Sequence, residues 1–391
     1  MRSPDKVLYF SNPFYLDYDL PLIRHLSVEC SLHYLLDVSP LSTSATIFSI
    51  KDFVKTADIL DGKAYNIENQ FNDLPSGKTL IVNRKTNRLS LSNILLQFRL
   101  ARIIRKIDPD IIHFNIDFNH NYFLLRFLLK TPMVWTVHDP LPHSDNDTLR
   151  EALKRRIFYR LIKNYIILNC EQRQEFIKRY KLQRKHIFNS TLGIYDYLLH
   201  FSPFTSLKKT HSPGDSIQLI QFGRINKYKG LKYLLPAFDS IVTKFPNAKL
   251  VIAGKGDPEV SKIEEKKNVS FINHYIENEV LAKLISESDF VVCPYTDATQ
   301  SGVIMTAFAF CKPVIATNVG GLKNFVEDGI TGFLIEPGNS PKLEEAIEKF
   351  ILDPGILEIM SRNIFRIYHT GESSWKAIAG KNLQIYRSII K

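Results

Sequence analysis

The sequence predicts an α/β protein with two Rossmann-like domains, each built around a parallel sheet. The length of 391 residues is that of two domains of ordinary size. Short runs along the chain are almost continuously apolar, as in strands buried on both faces of a parallel sheet, and amphipathic stretches separate them. This alternation restarts after residues 196–216, a segment with two prolines and weak periodicity that is typical of a linker.

Taken in order, the apolar runs predict the strands of both sheets. In the first domain they are Val7–Phe10, Leu32–Leu36, Ile111–Asn115, Met133–Val137 and Tyr165–Asn169. In the second they are Ile217–Phe222, Lys249–Ala253, Val269–Ile272, Phe290–Pro294, Val314–Ala316 and Phe333–Ile335. Helical spacing between them predicts helices, one at Leu231, Leu234, Leu235 and Phe238 and one at Leu343, Ala346, Ile347 and Phe350. The carboxyl ends of the two sets of strands would face a cleft, the usual ligand site of open parallel sheets.

The net charge suggests an anionic partner or surface. The chain has 51 Lys and Arg against 40 Asp and Glu, a formal net charge of +11, and residues 150–185 alone hold 12 basic and 3 acidic side chains. The stretch Leu153–Tyr165 predicts an amphipathic helix. Its apolar face would carry Leu153, Ile157 and Leu161, and its basic face Arg156, Arg160 and Lys163. Such a helix either rests on an anionic bilayer or is a crossover helix with a solvated basic face.

Composition and spacing disfavour several classes of protein. With 45% hydrophobic and 23% charged residues, the chain is typical of globular enzymes. Its 4 cysteines form no CxxC pair, so we expect reduced thiols, a cytoplasmic location and no structural zinc. We expect no signal peptide and no membrane span, because the apolar runs are too short. The absence of helix-turn-helix, zinc-finger and RNP-type patterns disfavours a nucleic-acid partner.

The segment Gln221–Gly230 (QFGRINKYKG) carries the first candidate site. A strand is predicted to end at Phe222, Gly223 permits a turn, and a helix starts near Gly230. Arg224 and Lys229 are then two cations at a strand-to-helix junction, where free backbone N–H groups also favour anions. Together they would hold a diphosphate, Arg as a planar fork and Lys as a point charge. The alternative is that both are solvated loop cations.

A second candidate site begins where the predicted strand at 290–294 ends. A polar loop leads through Gln300, Ser301 and Gly302 into a helix predicted over Val303–Phe310. The N–H groups at the start of this helix would be open to a ligand, and a glycine there would let a phosphate or sugar approach the backbone. The alternative is that Gly302 only starts the helix and Gly320–Gly321, further on, only form a turn.

The order of these motifs resembles that of the retaining GT-B glycosyltransferases of family 4, the group 1 type. The motifs are GRINKYKG (Gly223–Gly230), IAGKG (Ile252–Gly256), SESDFVVCPY (Ser286–Tyr295), KPVIATNVGG (Lys312–Gly321), EDGITGFL (Glu327–Leu334) and EPGN (Glu336–Asn339). They extend over residues 217–340. The resemblance implies a GT-B fold with an acceptor domain at 1–205 and a donor domain at 206–373. It also implies that the last helix, 374–391, crosses back to the N-terminal domain.

The N-terminal half resembles the family more weakly, and its clearest marker is the pair His138–Asp139 in TPMVWTVHDPLPHSD. The resemblance implies that His138 lies near the transferred sugar and the acceptor, and Asp139 either orients it or caps the next segment. Alternatively, His138 is a buried histidine bonded to backbone. The resemblance also implies that Gly254 contacts the donor nucleotide and that Tyr275, in the stretch His274–Ile276, lies near its base.

The sequence departs from the family pattern at two glutamates, which relatives place eight positions apart and which fall here at Ala298 and Thr306. Asp297 could supply the first carboxylate, and the Thr306 hydroxyl could bond the ribose. Relatives also carry a glutamate at the position of Asn324 and a glycine pair where this chain has Ser11–Asp19. Either the loop TDATQSG binds the sugar differently, or activity is low, or the donor binds without transfer. We favour the first, because the cations and the glycine-bearing helix start are retained.

The implied activity is transfer of a hexose-type sugar from a nucleoside-diphosphate sugar to a lipid-linked or saccharide acceptor, with retention of configuration. Cell-surface polysaccharide or glycolipid assembly on the cytoplasmic face of a membrane is the implied setting. We expect no metal and no cofactor, because Arg224, Lys229 and the N–H groups of Ser301–Val303 would neutralise the leaving diphosphate. The alternatives are a catalytically weak nucleotide-sugar-binding partner protein and a nucleotide-sugar epimerase.

Overall fold

A computed structural model describes most of the chain, in two compact units. The described residues are 4–40, 44–45, 47–49, 56–67, 71–75, 77–86, 90–116, 124–138, 140–141, 149–202, 216–298 and 301–390, without the side chains of 44–45, 48–49 and 149–154. The first unit comprises Met1–Leu192 with Trp375–Lys391, and the second Gly193–Ser374. The predicted domain boundary at 205/206 lies outside the described residues.

The first unit is built on a mainly parallel sheet. Its strands are β1 (Lys6–Ser11), β2 (Ser31–Val38), β3 (Ser44–Ala45), β4 (Phe48–Ser49), β5 (Asp58–Asp61), β6 (Thr79–Asn83), β7 (Ile111–Asn115), β8 (Met133–Val137), β9 (Asn164–Ile167) and β10 (His186–Asn189). Within the described residues the sheet order is β10-β9-β8-β7-β1-β2-β6-β5, with only β5 antiparallel, and β3 pairs with β4 separately. The predicted strands are confirmed. Sequence reasoning missed three strands of this sheet: β5 and β10 at its edges, where partial exposure breaks the apolar run, and β6, which lies inside the sheet and is mostly buried.

The second unit has an all-parallel sheet of Rossmann order. Its strands are β11 (Gln218–Phe222), β12 (Lys249–Ala253), β13 (Val269–Ile272), β14 (Phe290–Cys293), β15 (Val314–Thr317) and β16 (Gly332–Ile335). The order β13-β12-β11-β14-β15-β16 confirms the predicted strands and their class. The chain builds outward from β11 to β13 and then returns to place β14 on the other side of β11. The gap between the loops after β11 and β14 is therefore the topological switch point, where such sheets bind ligands.

Helices connect the strands in both units. They are α1 (Leu16–Glu29), α2 (Leu91–Ile107), α3 (Leu125–Leu128), α4 (Leu149–Leu161), α5 (Arg173–Tyr180), α6 (Leu231–Lys244), α7 (Asn278–Glu287), α8 (Gly302–Ala309), α9 (Ser340–Leu352), α10 (Pro354–Ile364) and α11 (Trp375–Ile389). Asn339 starts α9 by accepting a hydrogen bond from the Lys342 N–H at 3.0 Å, an N-cap. The last helix, α11, packs on α1 in the first unit, as the resemblance implied.

The predicted amphipathic helix at 153–165 is wrong in its end and in its buried face. It ends at Leu161, because Asn164–Ile167 are paired with β8 as strand β9. The side chains turned into the core are Phe158 and Tyr159, whereas Ile157 is 52% exposed. The prediction placed aliphatic side chains such as Ile157 on the buried face. The rings of Phe158 and Tyr159 are buried instead, because aromatic side chains bury more apolar surface.

Gly230 allows the loop after β11 to approach the end of β14. Its φ of +73° lies in the left-handed region, and a Cβ there would lie 1.9 Å from the Pro294 carbonyl oxygen. No side chain can be added at this position without moving the backbone of one of the two loops. The switch point of the second unit therefore depends on this glycine.

We predict that Gly230→Ala lowers the free energy of unfolding by about 2–4 kcal/mol, because it adds both left-handed strain and a backbone clash. Gly380→Ala is the matched control, since a Cβ at Gly380 in α11 would meet nothing within 4 Å. That control should be stabilising by about 0.5–1 kcal/mol, the ordinary helix effect. Urea unfolding followed by circular dichroism measures both, and similar midpoints for the two variants would contradict the packing argument.

Candidate functional site

The loops that follow β11, β14 and β15 are joined by backbone hydrogen bonds. The Thr296 N–H donates to the Tyr228 carbonyl at 2.8 Å, and the Gly321 N–H donates to the Ala298 carbonyl at 3.2 Å. These bonds satisfy backbone groups that would otherwise need water, and they fix the loops relative to one another. The predicted glycine turn at 320–321 is thereby part of the same loop cluster as the segment 223–230.

Lys229 is a buried cation in this cluster. The residue is 7% exposed, and its Nζ lies 3.8 Å from the ring centroid of Tyr295. Burial lowers the pKa of Lys229 to about 8. Within the described part of the chain, no carboxylate pairs with this ammonium group, and the aromatic face is its main stabilising contact. A buried, uncompensated charge of this kind is expected where an anionic ligand completes the site.

Arg224 supplies a second cation from the same loop. Its side chain is exposed, and among the described residues it forms no ion pair. The neighbouring Lys227 differs, because its Nζ lies 2.7 Å from a carboxylate oxygen of Glu259. Arg224 and Lys229 thus have no carboxylate partner among the described residues, whereas Lys227 is paired with Glu259.

The start of α8 adds hydrogen-bonding groups. The Ser301 side chain does not cap the helix, and the hydroxyl oxygens of Ser301 and Tyr295 are buried with no hydrogen-bond partner of normal geometry among the described residues. The first N–H groups of a helix also lack intrahelical acceptors. Gly223 reaches this helix start, since a Cβ there would lie 3.3 Å from a Val303 methyl carbon. The predicted donor-binding residues Gly223, Lys229, Ser301 and Val303 are therefore brought together.

Two positions of α8 are engaged within the protein. A Cβ at Gly302 would lie 2.8 Å from a Tyr195 ring carbon, so the missing side chain makes room for that ring. The Thr306 hydroxyl donates to the Gly302 carbonyl at 2.9 Å, which leaves only its oxygen as an acceptor. The expected contacts of these two residues with sugar and ribose stay predictions.

The remaining predicted donor residues are less closely grouped. Asp297 is exposed on the loop after β14, and Tyr275 is exposed after β13 at the edge of the sheet. Gly254 serves the loop backbone, because a Cβ there would lie 1.9 Å from the Gly223 carbonyl oxygen. Gln300 in this unit and Asp139 in the first unit lie outside the described residues.

In the first unit, His138 follows β8 at the carboxyl edge of the sheet. Its ring stacks on Tyr15 with centroids 4.1 Å apart and meets Tyr18 edge-on. Its Nε2 lies 2.8 Å from Oδ1 of Asn115, the last residue of β7. Burial lowers the pKa of His138 below its ordinary value, so the ring is neutral at physiological pH. The side chain is thus bonded to the side chain of Asn115.

A buried carboxylate orients this histidine through Asn115. Asp19 accepts hydrogen bonds from Tyr9 at 2.5 Å, from the Ser11 hydroxyl, and from Asn115 Nδ2 at 2.6 Å. Burial raises the pKa of Asp19 to about 7 against the opposing effect of these hydrogen bonds. Because Nδ2 of Asn115 donates to Asp19, its Oδ1 faces His138 and can only accept. His138 therefore carries its proton on Nε2, and Nδ1 holds the lone pair.

Sequence reasoning missed Asp19 and Asn115 as site residues. Both had visible signals, since Asp19 interrupts an apolar helix pattern and Asn115 ends an apolar strand. Neither signal showed that the two side chains meet, because 96 positions separate them along the chain. The nearby His113 was never a candidate, and its nitrogens are taken by Tyr386 at 2.5 Å and Thr136 at 2.6 Å.

Two family models match successive parts of the chain. One, described as Glycosyltransferase Family 4, matches residues 72–188, and one described as Glycosyl transferases group 1 matches residues 204–366. The chain is 26% identical over 188 residues to alpha-D-kanosaminyltransferase of Streptomyces kanamyceticus, covering 47% of this chain and 48% of that relative. It is 33% identical over 156 residues to the capsular polysaccharide biosynthesis glycosyltransferase CapM of Staphylococcus aureus, covering 38% and 40%. The chain spans about half the length of these curated relatives or less.

The fold is similar to that of Anabaena Alr3699/HepE, solved in complex with UDP, with a TM-score of 0.64 and 18% identity over 98% of this chain and 99% of that one. At that identity the likeness concerns the fold. Two Rossmann-like units with parallel sheets define a protein of GT-B fold. The chain belongs to the group 1, family 4 glycosyltransferases.

We predict that His138 shows the Nε2-protonated tautomer in long-range ¹⁵N–¹H NMR spectra of the whole protein. Asp19→Asn should populate the other tautomer as well, because the Asn115 amide can then turn over and present its NH₂ group to the ring. His113 is the internal control and should keep its own signature, since its two partners are unchanged. An Nδ1-protonated His138 in the unsubstituted protein would contradict the hydrogen-bond directions assigned to Asp19, Asn115 and His138.

Proposed function

We propose that the chain transfers a sugar from a nucleoside-diphosphate sugar to an acceptor, with retention of configuration. The observation that carries the proposal is the buried Lys229 ammonium group at the switch point of the second unit, for which the described residues offer no carboxylate partner. A diphosphate supplies the missing negative charge. HepE of the same fold was solved with UDP, which supports a nucleotide at a site of this kind.

In the proposed reaction the bond between the anomeric carbon and the diphosphate breaks, and a bond from the acceptor oxygen forms on the same face of the sugar. The acceptor proton passes to the leaving phosphate. Lys229, Arg224 and the N–H groups at Ser301–Val303 stabilise the charge that develops on that phosphate, a role that asks for no metal ion. Because they are fixed in place by the joined loops, they need little reorganisation as the bond breaks.

The first unit is proposed to bind the acceptor. The Asp19–Asn115 pair holds the His138 ring, and this ring is proposed to lie beside a hydroxyl group of the acceptor. We propose lipid-linked or saccharide acceptors, met at a membrane in the assembly of a cell-surface polysaccharide. The likeness to a capsular polysaccharide glycosyltransferase supports that setting. Among the described residues no helix is long and apolar enough to cross a bilayer.

A second candidate is a protein that binds the nucleotide sugar without turning it over. It is favoured by the engagement of the Thr306 hydroxyl within α8, where relatives use a glutamate. Measurable UDP binding with neither transfer nor hydrolysis of any UDP-, GDP- or ADP-sugar would select this candidate. Donor hydrolysis at a rate that depends on Lys229 would select the transferase.

We predict that Arg224→Ala and Lys229→Met each weaken UDP binding by about 10–100-fold, the loss of one charge-assisted contact. Lys227→Ala is the matched control from the same loop and should change the affinity by less than about twofold, because that lysine is already paired. Isothermal titration calorimetry gives the affinities. Thermal unfolding of the free Lys229→Met protein should show no loss of stability, since a buried unpaired charge is removed. Equal affinities for all three variants would rule out the diphosphate site.

We predict that UDP binding weakens as pH rises above about 8, because the Lys229 ammonium group then loses its proton. The expected loss approaches tenfold per pH unit if only the ammonium form binds. Lys229→Arg keeps its charge throughout this range, so its affinity should be nearly constant between pH 7 and 9. Parallel slopes for the two proteins would show that another group titrates.

A further inference from the structure

The first unit contains a partly apolar cavity at the edge of the sheet opposite to His138. The cavity has a volume of about 450 Å³ and opens at the amino ends of β8 and β9, where Met133 and Asn164 line it. His138 follows β8 at its carboxyl end, so the cavity and the histidine lie at opposite edges of one sheet. Helix α11 closes part of the wall with Ser388 and Ile389. This volume is within the range of small-molecule and lipid-tail sites.

The floor of the cavity is aromatic. The Trp135 ring stacks on Phe114 with centroids 4.5 Å apart, and the Phe158 ring meets Trp135 edge-on at 4.6 Å. All three side chains are buried. A ligand that enters the cavity would therefore meet apolar surface at the floor and polar groups elsewhere in the lining, which favours a molecule with both a hydrocarbon chain and a polar group.

The rim of the cavity is cationic. It carries Arg126, Lys130 and Lys163, and a shallow depression that shares Lys163 adds Lys181, Arg184 and Lys185. We call these six residues the basic rim. No carboxylate forms an ion pair with any of them within the part of the chain that the structure describes.

The members of the basic rim are close enough to repel one another. The pKa of Lys185 is lowered by burial and by the neighbouring charges of Lys163 and Arg126. Its Nζ donates to the Arg160 carbonyl at 2.8 Å, which keeps it in place beside them. Crowded cations of this kind destabilise the free protein, and a bound anion relieves the repulsion. The exposed side chains of Phe127 and Ile157 belong to α3 and α4, the helices that contribute Arg126 and Phe158 to the cavity.

We infer that this cavity binds one anionic phospholipid, with an acyl chain against Trp135 and the phosphate on Arg126, Lys163 and Lys185. A partly apolar cavity combined with a cationic rim matches an amphiphile with a negative headgroup, and neither part alone would. The inference deepens the membrane part of the proposed function by naming the site and the ligand class. Its test uses no sugar transfer, so it can fail while the transferase assignment stands.

The two tryptophans of the chain make the cavity observable. Trp375→Phe leaves Trp135 as the only tryptophan. This protein is mixed with vesicles of equal parts phosphatidylcholine and phosphatidylglycerol whose acyl chains carry bromine, which quenches tryptophan on contact. We expect flotation with these vesicles and quenching of Trp135, and neither with vesicles of phosphatidylcholine alone. Flotation without quenching would mean adsorption to the surface only and would overturn the inference, as would equal binding to both kinds of vesicle.

Two variants separate the cavity from the rim. Leu161→Phe fills the cavity without changing the charge, and it should keep flotation but lose quenching. Lys163→Ala with Lys185→Ala should lower vesicle binding about tenfold or more. The matched control is Lys63→Ala with Lys78→Ala, two exposed lysines beside β5 and β6 at the other end of the sheet order, and it should bind like the parent protein.

Inorganic phosphate distinguishes a lipid from a free anion. If phosphate raises the melting temperature through Lys163 and Lys185 while vesicles do not bind, the site holds a free anion and the inference is wrong. Circular dichroism checks the fold of each variant. Should Leu161→Phe fail to fold, the comparison of brominated with unbrominated vesicles on the Trp375→Phe protein still decides whether a chain enters the cavity.

Discussion

The rest of the structure depends on the requirement that parallel strands be buried on both faces. Because each strand must be followed by a crossover that covers the sheet, all parallel strands end at the same edge. Strands are first added on one side of the starting strand and then on its other side. Where this reversal occurs, the connections that follow two neighbouring strands run in opposite directions. The loops after β11 and β14 diverge in this way in the second unit, and those after β1 and β7 do so in the first. Lys229 and the start of α8 lie at the point in the second unit, and Asp19 and Asn115 lie at the point in the first.

Each switch point holds a buried ionisable group, Asp19 in the first unit and Lys229 in the second. The two groups differ in the partners that surround them. Asp19 accepts hydrogen bonds from Tyr9, Ser11 and Asn115, so all its partners come from the protein itself. Through Asn115 it orients His138. Lys229 has an aromatic face and no carboxylate partner among the described residues, and in the proposed function a diphosphate supplies the missing negative charge. Both arrangements cost stability in the free protein, because burial opposes the charged form of each group.

The amino edge of the first sheet is a separate surface with different chemistry. Its cations are exposed and crowded rather than buried and single, and the cavity between them is lined by stacked aromatic rings. The two proposals thus place different ligands at the two edges of one sheet, an acceptor near His138 and an anionic phospholipid near Trp135. A protein that acts on acceptors at a membrane would need such a division.

The sequence by itself determined all strands of the second sheet, most strands of the first, the alternation with helices and the two cations of the loop at 223–230. These features follow from local rules: a doubly buried strand must be apolar throughout, and a loop with a left-handed turn favours glycine. The motif order was sufficient to indicate the family, because the spacing of the loops is set by the same fold.

Only the tertiary structure decided which polar groups meet. Asp19, Asn115 and His138 come from three separate segments, and their pairing depends on the register of β1, β7 and β8 rather than on any local pattern. The buried face of α4 was likewise mistaken, because periodicity cannot rank Phe158 against Ile157 until the sheet beneath the helix is known. Local sequence patterns predict most of the strands. Contacts between side chains far apart in the sequence depend instead on how those strands are ordered in the sheet.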